Sequence, residues 1–416
     1  MAEVIPFQAT RPAADKVASV VSRSYDQYGS KERKAVMAYN PFSFLHIIDP
    51  GFKFHKTVQG AQRFSMVRNR YLEFLEEGVL IREKQPSYYL YRTLREEYST
   101  YGVFCATTTA DYRKDVIRKH EETLSFRETL FADYLQTVKF NAEPVLLTYP
   151  DQPDLDVLFK SIMAEVPEYF FTTTDRVTHQ LWVIQNPQHI TQIREGFKAV
   201  ETLYIADGHH RSASSDLLAR RMEKGNKGGI SEGAYGSFMS YLIPESQLRI
   251  RSFSRLLSGI GDRNPDEILI GLDRFFRIQE KGTTPFEPVE KHQFSMYFKG
   301  TFYSLKLRKH SYSFSDPLDA LDTQILYKTV LEPLFGVTDL RHDSRIHYMC
   351  ASMNALKMKK MVDKGVYDIG FGMTPVNVEE LKAISDAGLK MPPKSTFIEP
   401  KLPSGLTIYD FQNPDL

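Results

Sequence analysis

The sequence predicts an α+β fold in which mixed sheets are flanked by helices. Three observations point there. Strand-like runs rich in tyrosine, valine and phenylalanine recur along the chain, neighbouring runs pair as antiparallel hairpins, and amphipathic helical stretches stand between groups of strands. At 416 residues the chain is long enough for several cores. Breaks in its patterning divide it into an N-terminal region, 1–150, a central region, 151–260, and a C-terminal region, 261–416.

In the N-terminal region, residues 5–12 read as an extended segment pinned by prolines, and 16–22 as a short strand. A helix over 30–39 follows. Asn40-Pro41 marks a turn into the apolar run 42–48, which reads as a strand with His46 inside it. Over 61–78 the spacing of Phe64, Val67, Tyr71, Phe74 and Leu75 predicts an amphipathic helix stopped by Gly78. Residues 86–92 and 102–108 form a tyrosine-bearing hairpin across the charged turn at Arg95-Glu96-Glu97. The charged stretch 111–128 reads as a solvated helix face, and 141–149 as a buried strand closed by Pro150.

In the central region, helices are expected at 155–165 and 187–198, around a strand region at 172–184 that holds Trp182. Residues 220–232, rich in lysine and glycine, read as a surface loop, and 237–243 as a strand ended by Pro244. The C-terminal region reads as a helix at 265–276, a hairpin of 293–299 with 301–307 across Gly300, and a helix at 320–331. A glycine-rich strand and turn at 365–375 and a helix at 378–388 follow.

Composition excludes several classes. Hydrophobic residues at 42%, charged residues at 25% and a net charge of +1 describe an ordinary globular protein with no global field for nucleic acid or an anionic membrane. No apolar run is long enough for a membrane helix, the first ten residues lack a signal-peptide pattern, and two distant cysteines form neither a disulfide framework nor a zinc motif. A cytoplasmic protein is the expectation. Dinucleotide, Walker-type, esterase-elbow and zinc-protease signatures are all absent.

The densest chemistry lies at Tyr204-Ile205-Ala206-Asp207-Gly208-His209-His210-Arg211. An apolar strand end, a glycine break and a helical stretch make a helix N-terminus, where unpaired N–H groups and the dipole favour an anion. Arg211 suits a bidentate grip on phosphate, His209 and His210 donate or shuttle protons, and Asp207 suits a general base or a magnesium ligand. A plain turn in which Asp207 caps the helix is the alternative for the same residues.

The Asp-Gly-His-His-Arg motif resembles that of the ParB-like and sulfiredoxin-like superfamily, which includes free-serine kinases. Four stretches together resemble a bacterial and archaeal family of domains of unknown function, family ten-fifteen. They are Asn40-Pro-Phe-Ser-Phe-Leu-His46, Lys119-His120-Glu121, the central motif, and Met391-Pro-Pro-Lys-Ser-Thr396 with Pro400-Lys401. The resemblance implies a ParB-like catalytic core and phosphoryl transfer between diphosphate and free L-serine, reversible to O-phospho-L-serine plus phosphate, with magnesium. It implies Asp207 as base and metal ligand, and His209, His210 and Arg211 on the transferred group. Lys119, His120, Arg127, Lys394 and Lys401 would be further anion contacts, Gly208, Glu121, Ser395 and Thr396 would belong to the same substrate- and phosphate-binding set, and Asn40, Ser43 and His46 would border the substrate pocket.

Two stretches depart from that pattern. Ser24 stands where a proline commonly precedes Tyr25-Asp26, and Met349-Cys350-Ala351-Ser352 replaces a glycine-bearing segment. Alternatives remain open at this stage: an ATP- or ADP-dependent serine kinase, a phosphatase or nuclease using the same histidines, or a ParB-like nucleic-acid-binding module. Small-molecule partners, no nucleic acid and no membrane are expected, and an oligomer is compatible with the sequence.

Overall fold

A computed structural model describes residues 2–225, 234–350 and 355–411. The chain forms two compact units. One takes residues up to Lys119, Thr123–Leu248 and the segment from Pro400; the other takes His120–Glu122 and Arg249–Glu399. The first contains a mixed sheet and the second an antiparallel one, each with helices, so the fold is α+β as the patterning requires.

The first unit is built on nine strands: β1 (Val4–Ile5), β2 (Tyr88–Leu94), β3 (Ser99–Thr108), β4 (Ile117–Arg118), β5 (Val145–Tyr149), β6 (Tyr169–Thr172), β7 (Thr178–Ile184), β8 (Leu203–Asp207) and β9 (Ser237–Pro244). Their order is β4-β8-β5-β9-β3-β2-β7-β6, with β1 on β3. The hairpin β2–β3 forms in the expected antiparallel register, Tyr91 opposite Gly102. Gly102 is needed there, because a Cβ would lie 2.4 Å from the carbonyl oxygen of Leu242 on β9. Tyr88 and Tyr89 are fully buried, and their hydroxyls donate to the carbonyls of Val4 and Phe7 at 2.7 and 2.9 Å. Burial of these rings is affordable only because each polar tip finds an acceptor.

Helix α1 (Gly60–Glu76) buries Phe64, Val67, Tyr71 and Phe74, the stripe its spacing predicts. It packs on α2 (Ser125–Val138), which in turn packs on α3 (His209–Gly225). A small sheet joins Ala9–Pro12, Leu80–Arg82, Phe140–Asn141 and Ile408–Asp410, so the end of the chain returns to the first unit. There the hydroxyl of Tyr71 donates to the buried Asp410 carboxylate at 2.9 Å, and Arg82 does so at 3.2 Å.

The second unit holds a six-stranded sheet: β10 (Phe253–Leu257), β11 (Phe276–Gly282), β12 (Gln293–Phe298), β13 (Thr301–Leu307), β14 (Ile346–Cys350) and β15 (Ile369–Met373). The order is β11-β13-β12-β15-β10-β14, with every neighbouring pair antiparallel. Phe276, Phe294, Met296, Leu305 and Phe371 fill its core.

Several local expectations are corrected. Residues 16–22 contain a one-turn helix, Val17–Val20, and 42–48 contain another, Leu45–Ile48, where strands were expected. In the second case the Ser43 hydroxyl accepts from the Leu45 N–H at 3.3 Å and the His46 N–H reaches the Ser43 carbonyl at 2.9 Å, which starts a turn in a run too short for periodicity to decide. The stretch 111–128 is not one helix: Thr109–Arg113 is helical, β4 follows, and α2 begins at Ser125. The helix expected at 320–331 widens to a π-turn over Tyr327–Leu331, just before Pro333, whose ring and missing N–H cannot join an α-helical ladder. Of the loop expected at 220–232, residues 220–225 end α3 and the remainder lies outside the described residues. Among the described residues no helix is long and apolar enough to cross a membrane.

Candidate active site

The central motif folds as strand, glycine and helix. β8 ends at Asp207 with a bulge between Ile205 and Asp207 against β5, which re-aims the strand end. Gly208 takes φ of +105°, and a Cβ there would lie 3.0 Å from Nε of Arg211. The backbone turn and the close guanidinium therefore both demand glycine. His209 opens α3, a helix of 17 residues, and the Ser212 N–H closes the first turn on the Gly208 carbonyl at 3.0 Å.

Two cations hold the Asp207 carboxylate: Nζ of Lys401 at 3.0 Å and a terminal nitrogen of Arg211 at 3.5 Å. Burial pushes its pKa up, but the charges of Arg211 and then Lys401 outweigh burial and hold the group below the ordinary carboxylate value. The other arm of Arg211 donates to the Pro144 carbonyl, which fixes the guanidinium against the start of β5. Asp207 and both cations keep about a third of their side-chain surface open to solvent, 38% for Asp207, 32% for Arg211 and 31% for Lys401, so a ligand can reach them.

His209 is buried, and His210 is half-buried. Nε2 of His210 accepts from the Leu124 N–H at 3.3 Å, just ahead of α2. A backbone N–H only donates, so this contact assigns the proton of a neutral His210 to Nδ1. Lys119 follows β4, which runs parallel to β8 with Arg118 beside Tyr204, so Lys119 and Asp207 lie toward the same end of the sheet. Its ammonium contacts Asp115 at 2.9 Å and the Tyr112 carbonyl at 3.2 Å. Arg127 is exposed in the first turn of α2.

Asn40, Ser43 and His46 also lie in the first unit, knitted into one turn. Asn40 donates to the Ser19 carbonyl at 2.7 Å, and Nε2 of His46 donates to the Asn40 carbonyl at 3.1 Å. Burial lowers the His46 pKa.

Sequence reasoning missed Glu143. It precedes the proline that Arg211 grips, and its Oε1 accepts from the hydroxyls of Ser404, at 3.0 Å, and Ser24, at 3.3 Å. Nothing in a Glu-Pro dipeptide signals this; only the return of the chain through Lys401 and Ser404 brings it out.

The remaining predicted residues belong to the second unit. The Met391 N–H donates to the His120 carbonyl at 2.8 Å, so two of the four resembling stretches meet there. His120 is buried, while Glu121 and Lys394 are exposed. Lys394 has φ of +56°, with its ammonium 5.6 Å from the Phe253 ring centroid. The Ser395 hydroxyl closes its own turn on the Pro392 carbonyl at 2.7 Å, and Thr396 is half-buried. The departure at 349–352 falls partly outside the described residues.

As a class, the first unit presents a helix N-terminus with a cation-held carboxylate, an arrangement suited to anionic substrates. The chain belongs to the DUF1015 family, described as a protein of unknown function, which it matches over residues 4–324. That span includes three of the four resembling stretches and ends before Met391. No curated protein matches the chain. Among similar solved structures, a free serine kinase in complex with AMP shares 12% identity at a TM-score of 0.33, covering 71% of this chain and 86% of its own. A conserved hypothetical protein from Pyrococcus furiosus shares 12% at 0.33, covering 71% and 90%. SbnI with a C-terminal truncation, from Staphylococcus aureus, shares 13% at 0.36, covering 71% and 82%. These likenesses are distant, and the functional reading rests on the residues of the site.

Proposed function

We propose that this protein is a phosphotransferase that interconverts L-serine plus diphosphate and O-phospho-L-serine plus phosphate. One observation carries the reading: Asp207, at a strand end and helix N-terminus, sits between Arg211 and Lys401. A group able to take a hydroxyl proton thus lies beside the cations that a transferred phosphoryl group requires. In the forward direction the serine Oγ attacks the terminal phosphorus. The Oγ–P bond forms as the bridging P–O bond breaks, the hydroxyl proton passes to Asp207, and phosphate leaves with the bridging electron pair.

A carboxylate held by two cations is a weak base. Phosphate oxygens compete for those same cations, so donor binding draws Arg211 and Lys401 toward the anion and returns basicity to Asp207 when the proton must be taken. His209, His210 and Lys119 are assigned to the same anion and Arg127 to its outer contacts; for the second unit, phosphate roles of His120, Lys394, Ser395 and Thr396 and a substrate role of Glu121 rest on the resemblance alone. Among the described residues no group of three or more His, Cys, Asp or Glu suits a metal ion, but magnesium carried on substrate phosphates needs only one or two carboxylates, which Asp207 fits. Bound there, magnesium would neutralise charge on the donor.

The test is phosphoserine formation, read by mass spectrometry, from purified protein with L-serine, magnesium and, in parallel, diphosphate, ADP, ATP or no donor. Product with diphosphate alone supports the reading, and product with a nucleotide alone replaces the donor. Asp207→Asn is isosteric and loses the base, so it should fold and lose about 10²- to 10⁴-fold in turnover, with circular dichroism checking the fold. A folded variant turning over at the wild-type rate would remove Asp207 from the mechanism.

A further inference from the structure

We infer that Glu143 is the ammonium-binding residue of this site, and so selects an α-amino acid over other hydroxyl-bearing acceptors. The inference rests on the serine-phosphotransferase reading above and adds to it the group that recognises the acceptor.

Glu143 is half-buried, and its Oε1 accepts from two hydroxyls, those of Ser404 and Ser24, at 3.0 and 3.3 Å. Among the described residues no lysine, arginine or histidine pairs with it. The site's other acidic group, Asp207, is held by two cations. A carboxylate oriented by neutral donors and left without a counter-cation is well prepared to receive one from a ligand.

Its position ties it to the chemistry from two sides. Pro144, the next residue, gives its carbonyl to Arg211, and Leu146, three residues after Glu143, stands opposite Asp207 across the β5–β8 pair. From the other side, Ser404 lies three residues after Lys401, which holds Asp207. Glu143 sits at the bend that leads into β5, two residues before Val145, so short chain connections tie it to both partners of the Asp207 cluster. A zwitterionic amino acid between the two groups would present its hydroxyl to Asp207 and its ammonium to Glu143. The opposite arrangement is disfavoured, because the ammonium would then face Arg211 and Lys401.

The experiment compares L-serine with 3-hydroxypropionate, which keeps the hydroxyl and carboxylate but lacks the ammonium, as acceptors for wild type and Glu143→Gln. The amide is isosteric and still accepts from both serine hydroxyls, and circular dichroism checks its fold. Removing one charge-assisted contact should lower the preference for L-serine over 3-hydroxypropionate, as the ratio of kcat/KM values, by about 10- to 100-fold, through a higher KM for L-serine. A purely structural role would raise both KM values together and leave the ratio unmoved, which overturns the inference. Wild-type protein that phosphorylates neither acceptor with any donor would overturn the kinase reading and this inference with it. Wild-type phosphoserine formation with an unchanged ratio in Glu143→Gln would overturn the inference alone.

Discussion

Asp207 shows how a single residue can be legible in sequence while its electrostatics are not. The Asp-Gly-His-His-Arg cluster marks a strand–glycine–helix turn, and the turn forms as that pattern predicts, with Gly208 at φ of +105°. The pairing with Lys401 was beyond reach, because the two residues are 194 positions apart and neither neighbourhood encodes the other. A pH prediction follows from the pairing. Burial alone would raise the Asp207 pKa, but Arg211 and Lys401 hold it below the ordinary carboxylate value of about 3.9. The folded state therefore binds fewer protons than the unfolded chain. Its stabilisation is complete above the unfolded value and disappears as pH falls through the depressed folded value. Lys401→Met removes one of the two charges and should raise the folded value. The wild type should then be more stable than the variant at neutral pH, and the difference should shrink toward acid. Urea unfolding of both proteins from about pH 7 down to about pH 3 reads this directly. A difference that stays constant across that range would mean that Lys401 stabilises by packing rather than by its charge on Asp207.

At the scale of elements, long periodic segments were readable and short ones were not. The stripe Phe64, Val67, Tyr71, Phe74 fixes a 17-residue helix because each position adds a buried side chain, worth roughly 1.5–3 kcal/mol, to one face. Runs such as 16–22 and 42–48 offer too few positions for period two and period 3.6 to differ, and local hydrogen bonds decided them. Helix ends occupy an intermediate position. The helix Val378–Asp386 was anticipated from its spacing and from Gly388, but its start is set by Asn377, whose side chain accepts from the Glu380 N–H at 2.8 Å while Glu380 reaches back to the Asn377 N–H at 2.9 Å. This reciprocal cap satisfies two of the four otherwise open donors. Asn377→Ala should cost the second unit about 1 kcal/mol, seen as a lower urea midpoint with an unchanged slope, whereas Asn377→Gly should cost only a few tenths. Equal losses for alanine and glycine would assign the effect to something other than the missing side-chain acceptor.

Across the whole molecule, the chain order hides the domain order. The sequence breaks at 150 and 260 follow local composition, and the first unit is closed by residues from Pro400 onward, after the entire second sheet has been made. Nothing local announces that return, since Ile408–Asp410 is only three residues long and gains its meaning from pairing with Ala9–Pro12 and Phe140–Asn141. Its Asp410 is 1% exposed and serves Tyr71 and Arg82, so the last strand is bonded into the α1 core by a buried carboxylate. Deleting residues 400–416 should therefore damage the first unit and spare the second. Loss of Asp410 alone removes the carboxylate acceptor of the buried Tyr71 hydroxyl, a change that typically costs about 1–3 kcal/mol. Hydrogen exchange read by mass spectrometry on the truncated chain should show protection lost at Ala9–Pro12, Phe140–Asn141 and α1. Protection at β12 and β13, whose partners lie within 249–399, should persist. Uniform loss in both units would mean that they fold as one cooperative body, and full retention in both would mean that the returning segment is an accessory rather than a closing strand.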